Sequence, residues 1–132
     1  MVTAGNINDC TRFTQVMNAI RVPRIGRGRP RTRPDRLLGD KGYSSKAIRA
    51  WLRRRGIACT IPERADQIRN RRRRGRGGGR PPAFDKQLYK RRNVVERCFN
   101  RFKQWRGIAT RFDKTATSYQ AAVTLASLLM WL

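Results

Sequence analysis

Tyr89, Arg92, Glu96 and Lys103 are the residues whose types and spacing bear most directly on chemistry. At about 100° per residue they fall within an arc of roughly 60° on a helix. One carboxylate is then held among cationic and phenolic groups at the edge of a buried stripe. The same spacing also describes a solvated helix flank with one ordinary Glu–Arg pair, since i, i+4 pairs are common on helices. A second acid, Asp40, ends the apolar run LLGD and precedes Gly42. An Asp at such a junction is a turn former by its own chemistry, or a ligand-bearing residue where an open α/β sheet places its sites. The chain has no His, which excludes His-based metal sites and Ser–His or Cys–His nucleophiles. What remains is the chemistry of carboxylates and cations.

The elements that must position these residues can be read from periodicity. Phe84 to Trp105 holds no Pro or Gly, and Leu88, Val95, Phe99 and Phe102 recur on one face, widened by Cys98 and Trp105. This predicts one amphipathic helix ended by Gly107. Upstream, Arg36 to Asp40 reads as a short strand. Ser44 or Ser45 caps a helix through Ala47, Ile48, Trp51 and Leu52, closed by Gly56. Ile57 to Ile61 reads as a second strand stopped by Pro62. Strand, helix, strand at these lengths is a βαβ unit with a parallel pair and a right-handed crossover. Asp40 then lies at the carboxyl end of its strand. Asn8 or Asp9 is expected to cap a first helix carrying Phe13, Val16, Met17 and Ile20. Thr117 or Ser118 is expected to open a last one through Val123, Leu125, Leu128, Leu129 and Leu132, buried against the sheet.

Charge dominates the composition. Thirty-two Lys and Arg oppose eight acidic residues in 132, a net charge of +24. Such a chain needs a polyanion, most simply nucleic acid. A membrane-surface protein would want a basic amphipathic helix, whereas the charge here sits mainly in loop-like stretches. One is the basic loop 21–35, with Arg29 and Arg31. The other is the low-complexity insertion 63–82, with Arg71, Arg72, Arg73 and Arg74, which is expected to be mobile when unbound and either clamps a DNA backbone, mimics an arginine-rich nucleic-acid tail or is a solvated surface loop. Cys10, Cys59 and Cys98 are odd in number and widely spaced, as reduced cytoplasmic thiols are. No signal peptide or membrane span is visible, so a cytoplasmic protein of one small domain is expected.

The spacing Tyr89, Arg92, Glu96, Lys103, with its surroundings NVVERCFNRFKQWRGIATRFDK, resembles the signature around the third acidic residue of bacterial insertion-sequence transposases of the DDE type. LLGDKGY at 37–43 resembles their segment around the second catalytic Asp. The resemblance covers the chain from about Asp9 to Leu132. It implies a ribonuclease-H-like α/β fold, a mixed sheet flanked by helices. It also implies Asp40 and Glu96 as catalytic metal ligands for Mg²⁺ or Mn²⁺, expected in the complete site, and a nucleoid-associated bacterial protein. Arg92 and Lys103 would neutralise phosphate, and Tyr89 would contact or position DNA. Carboxylates repel phosphodiesters and act on them only through such cations.

The family's first catalytic Asp lies on an early strand, and no residue here matches it, since Asp9 stands at a helix start. Residues 1–132 therefore read as a partial catalytic domain lacking its first strands, not competent alone. An upstream polypeptide would supply the first Asp within an oligomeric complex on the element ends and target DNA. The alternative is a small basic non-catalytic DNA-binding protein that modulates an intact transposase. A third reading, from charge alone, is a basic RNA-binding protein.

Overall fold

Phe13, Met17, Ile48, Leu52, Ile57 and Ile61 meet in one buried cluster in the computed structural model, which describes residues 8–130. Burying each such side chain is worth about 1.5–3 kcal/mol relative to exposure. The elements around them follow from local chemistry. The Asn8 side chain accepts from the Cys10 N–H and caps a 3₁₀ turn, Asp9–Arg12, which runs into helix α1, Phe13–Asn18. One face of α1 carries Phe13 and Met17 inward, while Val16 stays half exposed. Residues 21–35 then form neither helix nor strand. Their one regular feature is an antiparallel bridge between Val22 and Arg31.

Strand β1, Arg36–Leu38, leads to Asp40 and a 3₁₀ turn, Lys41–Tyr43. Helix α2, Lys46–Arg54, is capped by Ser45, whose hydroxyl accepts from the Ile48 N–H at 3.1 Å. Gly56, at φ +63°, reverses the chain in the left-handed conformation that glycine tolerates best. Strand β2, Ala58–Thr60, then pairs parallel to β1 with Leu37 opposite Cys59. The expected βαβ unit is present, with strands shorter at their ends than the sequence suggested. Together the two strands make a small mixed α/β architecture. Among the described residues this sheet has two strands only.

The insertion 63–82 departs from its reading as an unstructured loop. Ala65–Arg73 is helix α3, followed by a 3₁₀ turn at Gly75–Gly78. Arg-rich composition reads as low complexity, yet Arg is among the better helix formers. Gln67 also fastens α3 to the sheet unit by accepting from the Ser44 hydroxyl at 2.7 Å and donating to the Ser44 carbonyl.

The expected continuous helix from Phe84 to Trp105 is interrupted. Helix α4, Lys86–Lys90, is capped by Asp85, and helix α5, Asn93–Gln104, begins after a turn at Arg91 and Arg92. Lys90, Arg91 and Arg92 set three cations side by side, and Asn93 competes for backbone hydrogen bonds where an uninterrupted helix would need them. Helix α6, Arg106–Ala109, and helix α7, Ala116–Leu129, complete the chain, and Thr115 caps α7 in place of Thr117 or Ser118.

The chain divides into two compact units, with a boundary between Arg91 and Arg92. The unit Asn8–Arg91 holds the buried cluster. In residues 92–130, by contrast, α5 has no buried residue and α7 has one, Ala126. Phe99 is 61% exposed and Leu125 63%, so the burial expected for both apolar faces is not realised. Leu132, expected on the last helix, lies outside the described residues.

Candidate functional site

Asp40 follows β1 directly, and its placement comes from the turn beyond it. Its Oδ1 accepts from the Gly42 N–H at 2.8 Å and caps the turn Lys41–Tyr43. Its turn-forming role is therefore present in the structure. That bond also fixes the direction of the carboxylate at the carboxyl end of a parallel pair, where open α/β sheets gather ligands.

The structure adds neighbours that sequence spacing did not indicate. The Cys10 thiol donates to the Gly42 carbonyl at 2.7 Å, tying the turn after Asn8 to the turn after β1. Tyr43 lies close enough to both Asp9 and Asp40 to feel them. Partial burial first, then the charges of Asp9 and Asp40 and the Cys10 thiol, raise its phenol above the ordinary 10.0. Phe13 packs on Tyr43 at 6.0 Å between ring centroids and edge-on to Trp51 at 5.5 Å. Asp9, Cys10 and Asp40 thus each act on Tyr43 above the core. The helix-start context that set Asp9 aside carried no signal of this, because the contact joins positions about thirty residues apart.

Glu96 lies in the first turn of α5 in the other unit. Its Oε1 accepts from Arg92 Nη1 at 2.7 Å, with the Glu side chain 56% exposed. The expected i, i+4 pair is formed. Lys103 is exposed near the end of the same helix. Tyr89 belongs instead to α4, where it packs on Phe84 at 5.2 Å. The shared arc of four residues on one helix is therefore corrected, because the turn at Arg91 and Arg92 separates Tyr89 from the rest.

The arginines of the basic segments divide by role. Arg31 pairs with Asp35 at 2.6 Å, whereas Arg29 is exposed. Arg71 pairs with Glu63, both largely covered, while Arg72, Arg73 and Arg74 are exposed. Among the described residues, no three acidic, Cys or His side chains gather into a metal-holding group. No described helix is long and apolar enough to cross a membrane. Chemically, the arrangement offers two carboxylates in separate units and a large excess of guanidinium groups.

The sequence model of the family described as Transposase DDE domain matches residues 1–131. A Brucella ovis protein that carries the name of a transposase for insertion sequence element IS6501 is 29% identical over 130 residues. That match covers 98% of this chain and 84% of the relative. A Burkholderia cepacia protein, named likewise for insertion sequence element IS402, is 32% identical over 130 residues. There the match covers 98% of this chain and 54% of the relative, so the chain spans about half of that protein's length. No solved structure is significantly similar to the chain.

Proposed function

The chain belongs to the transposase DDE domain family of insertion-sequence transposases, and from that premise we propose that it forms part of the catalytic domain of a DNA transposase. In this reading it binds DNA and contributes two of the three acids that cleave and join strands, on a ribonuclease-H-like framework to which the parallel βαβ unit belongs. The observation that carries the reading is Asp40, set at the carboxyl end of β1 with its carboxylate oriented by Gly42.

Asp40 and Glu96 are the proposed metal ligands, and their hard oxygen donors fit Mg²⁺ or Mn²⁺. Such ions, when bound, activate the attacking water or 3′-hydroxyl and stabilise the leaving oxygen. The chain's own residues do the rest. Arg92 holds Glu96 in place and, with Lys103, offsets phosphate charge. Tyr89 contacts or positions DNA, and Arg29, Arg31 and Arg71–Arg74 add backbone contacts. The third acid is proposed to come from a partner polypeptide within an oligomer on the element ends and target. Basic loop 21–35 and insertion 63–82 are the DNA-facing parts of this domain.

One observation favours a second reading, a non-catalytic DNA-binding protein that modulates an intact transposase. The net charge of +24 supports DNA binding with or without catalysis. Mn²⁺ binding followed by electron paramagnetic resonance, with DNA binding measured in parallel, separates the two. The transposase reading expects Asp40→Asn and Glu96→Gln each to lose Mn²⁺ binding while retaining DNA. Mn²⁺ binding that neither substitution alters would leave the non-catalytic reading standing.

A further inference from the structure

Two helices of the unit Asn8–Arg91 present matching faces to one cavity. From α2 come Lys46, Arg49, Ala50 and Arg53, and from the α3 segment come Gln67, Asn70, Arg71 and Arg74. Both sets are spaced i, i+3, i+4, i+7, which is one helix face. The chain closes the cavity from a third side with the Gly-rich turn and Arg80. The cavity volume is about 590 Å³. A second cavity of about 550 Å³ shares Arg49, Arg53 and Arg80 and continues past Pro81 and Pro82.

The lining holds six cations and one carboxylate. Two of the cations are engaged by the fold. Arg49 Nη2 donates to the Ile61 carbonyl at 2.8 Å and the Ser44 hydroxyl at 3.1 Å, and Arg71 is paired with Glu63, the one acid. Lys46, Arg53, Arg74 and Arg80 are exposed, and among the described residues no side-chain hydrogen bond or carboxylate holds any of them. Four cations are thus left converging on a groove whose geometry two anchored arginines maintain. The turn is shaped for this position. A Cβ at Gly78 would collide with the Arg71 carbonyl oxygen, so only glycine lets the chain fold back so tightly on the end of α3.

We infer that this groove between α2 and α3 binds the phosphate backbone of duplex DNA, with Lys46, Arg53, Arg74 and Arg80 as its phosphate contacts. The inference rests on the transposase reading for the choice of DNA and adds the site. Guanidinium groups bind phosphate oxygens two at a time, which suits Arg over Lys at three of the four positions. Two joined cavities sharing Arg53 and Arg80 form a track, as a run of phosphates requires, and exceed what one isolated phosphate fills. No aromatic side chain lines either cavity. The stacking platform that single strands use is therefore missing, and binding is independent of base sequence.

The test is fluorescence anisotropy with a labelled duplex of random sequence, titrated at several salt concentrations with the full chain. Arg53→Ala/Arg80→Ala removes two groove cations. Arg54→Ala/Arg69→Ala removes two exposed cations outside the groove and serves as the control for charge. Each lost phosphate contact lowers the slope of log K against log salt by about 0.9. The groove pair is expected to flatten the slope by about 1.8 and the control pair to leave it nearly unchanged. Gly78→Ala, which keeps every charge, is expected to weaken binding without changing net charge. Equal losses from the two pairs, with wild-type binding intact, overturn the groove and leave the transposase reading in place. Failure of the wild-type chain to bind duplex DNA overturns both. Tighter binding of a single strand or a structured RNA than of the duplex overturns the assignment of the occupant.

Discussion

Glu96→Gln is the substitution that best separates a structural carboxylate from a functional one. The side chain is isosteric and loses only its charge. In the structure Glu96 makes an i, i+4 pair with Arg92 at 2.7 Å, and its side chain is 56% exposed. Pairs of this kind contribute about 0.3–0.5 kcal/mol, less as salt screens them. Glu96 also lies in the first turn of α5, where a negative charge favours the helix by a comparable few tenths of a kcal/mol. A loss of about 0.5–1 kcal/mol is the most that these contacts support, a shift of about 2–8 °C in a small domain. Thermal unfolding followed by far-ultraviolet circular dichroism measures it. On the same samples, Mn²⁺ binding should disappear. The reasoning is refuted if the melting temperature collapses well beyond that range, which would make Glu96 a structural residue. It is refuted equally if Mn²⁺ binding survives unchanged.

Leu52→Ala should destabilise the unit Asn8–Arg91 by about 2–5 kcal/mol, since Leu52 is wholly buried at the centre of a small cluster; urea unfolding reports it. Ser45→Ala should cost about 1 kcal/mol by leaving the first turn of α2 uncapped, read as a lower urea midpoint at unchanged slope. The Tyr43 phenol, raised by burial and then by Asp9, Asp40 and Cys10, favours the neutral form in the fold. Its stabilising contribution is therefore complete below the unfolded value of 10.0 and is lost as pH rises from there through the higher folded value. Asp40→Asn should lower the folded value, narrowing that alkaline window, as tyrosinate absorbance in a Tyr89→Phe/Tyr119→Phe background would show.

The elements that the sequence disclosed were those whose signals are local. Ser45 before an apolar repeat, Gly56 after it, and Pro62 after Ile61 bounded α2 and β2 because caps, left-handed turns and strand ends are decided by adjacent residues. Asp40 could be placed at a strand end for the same reason. The break at Arg91 and Arg92 was not legible, because apolar periodicity runs straight through it and only the missing burial of α5 leaves local charge to decide. The helix in the Arg-rich insertion was hidden by composition and is anchored by Gln67 on Ser44, more than twenty residues away. The effect of Asp9, Cys10 and Asp40 on Tyr43 likewise needs the fold, since no periodicity links Cys10 to Gly42. The family itself was legible in two short motifs, and the match over residues 1–131 bears it out.

The exposed apolar side chains of residues 92–130 have a consequence for how copies of the chain meet in solution. Phe99, Phe112, Leu125 and Leu128 stand in solvent on a chain whose net charge is +24. At low ionic strength, mutual repulsion between copies keeps those surfaces apart. The Debye length falls from about 10 Å at 0.1 M salt to about 3 Å at 1 M. Added salt therefore removes the barrier while leaving the hydrophobic attraction in place. In the proposed DNA-bound state, the rise in salt that weakens the hold on the polyanion is the same change that favours self-association. Self-association is therefore expected to be weakest at low salt and to grow as salt is added.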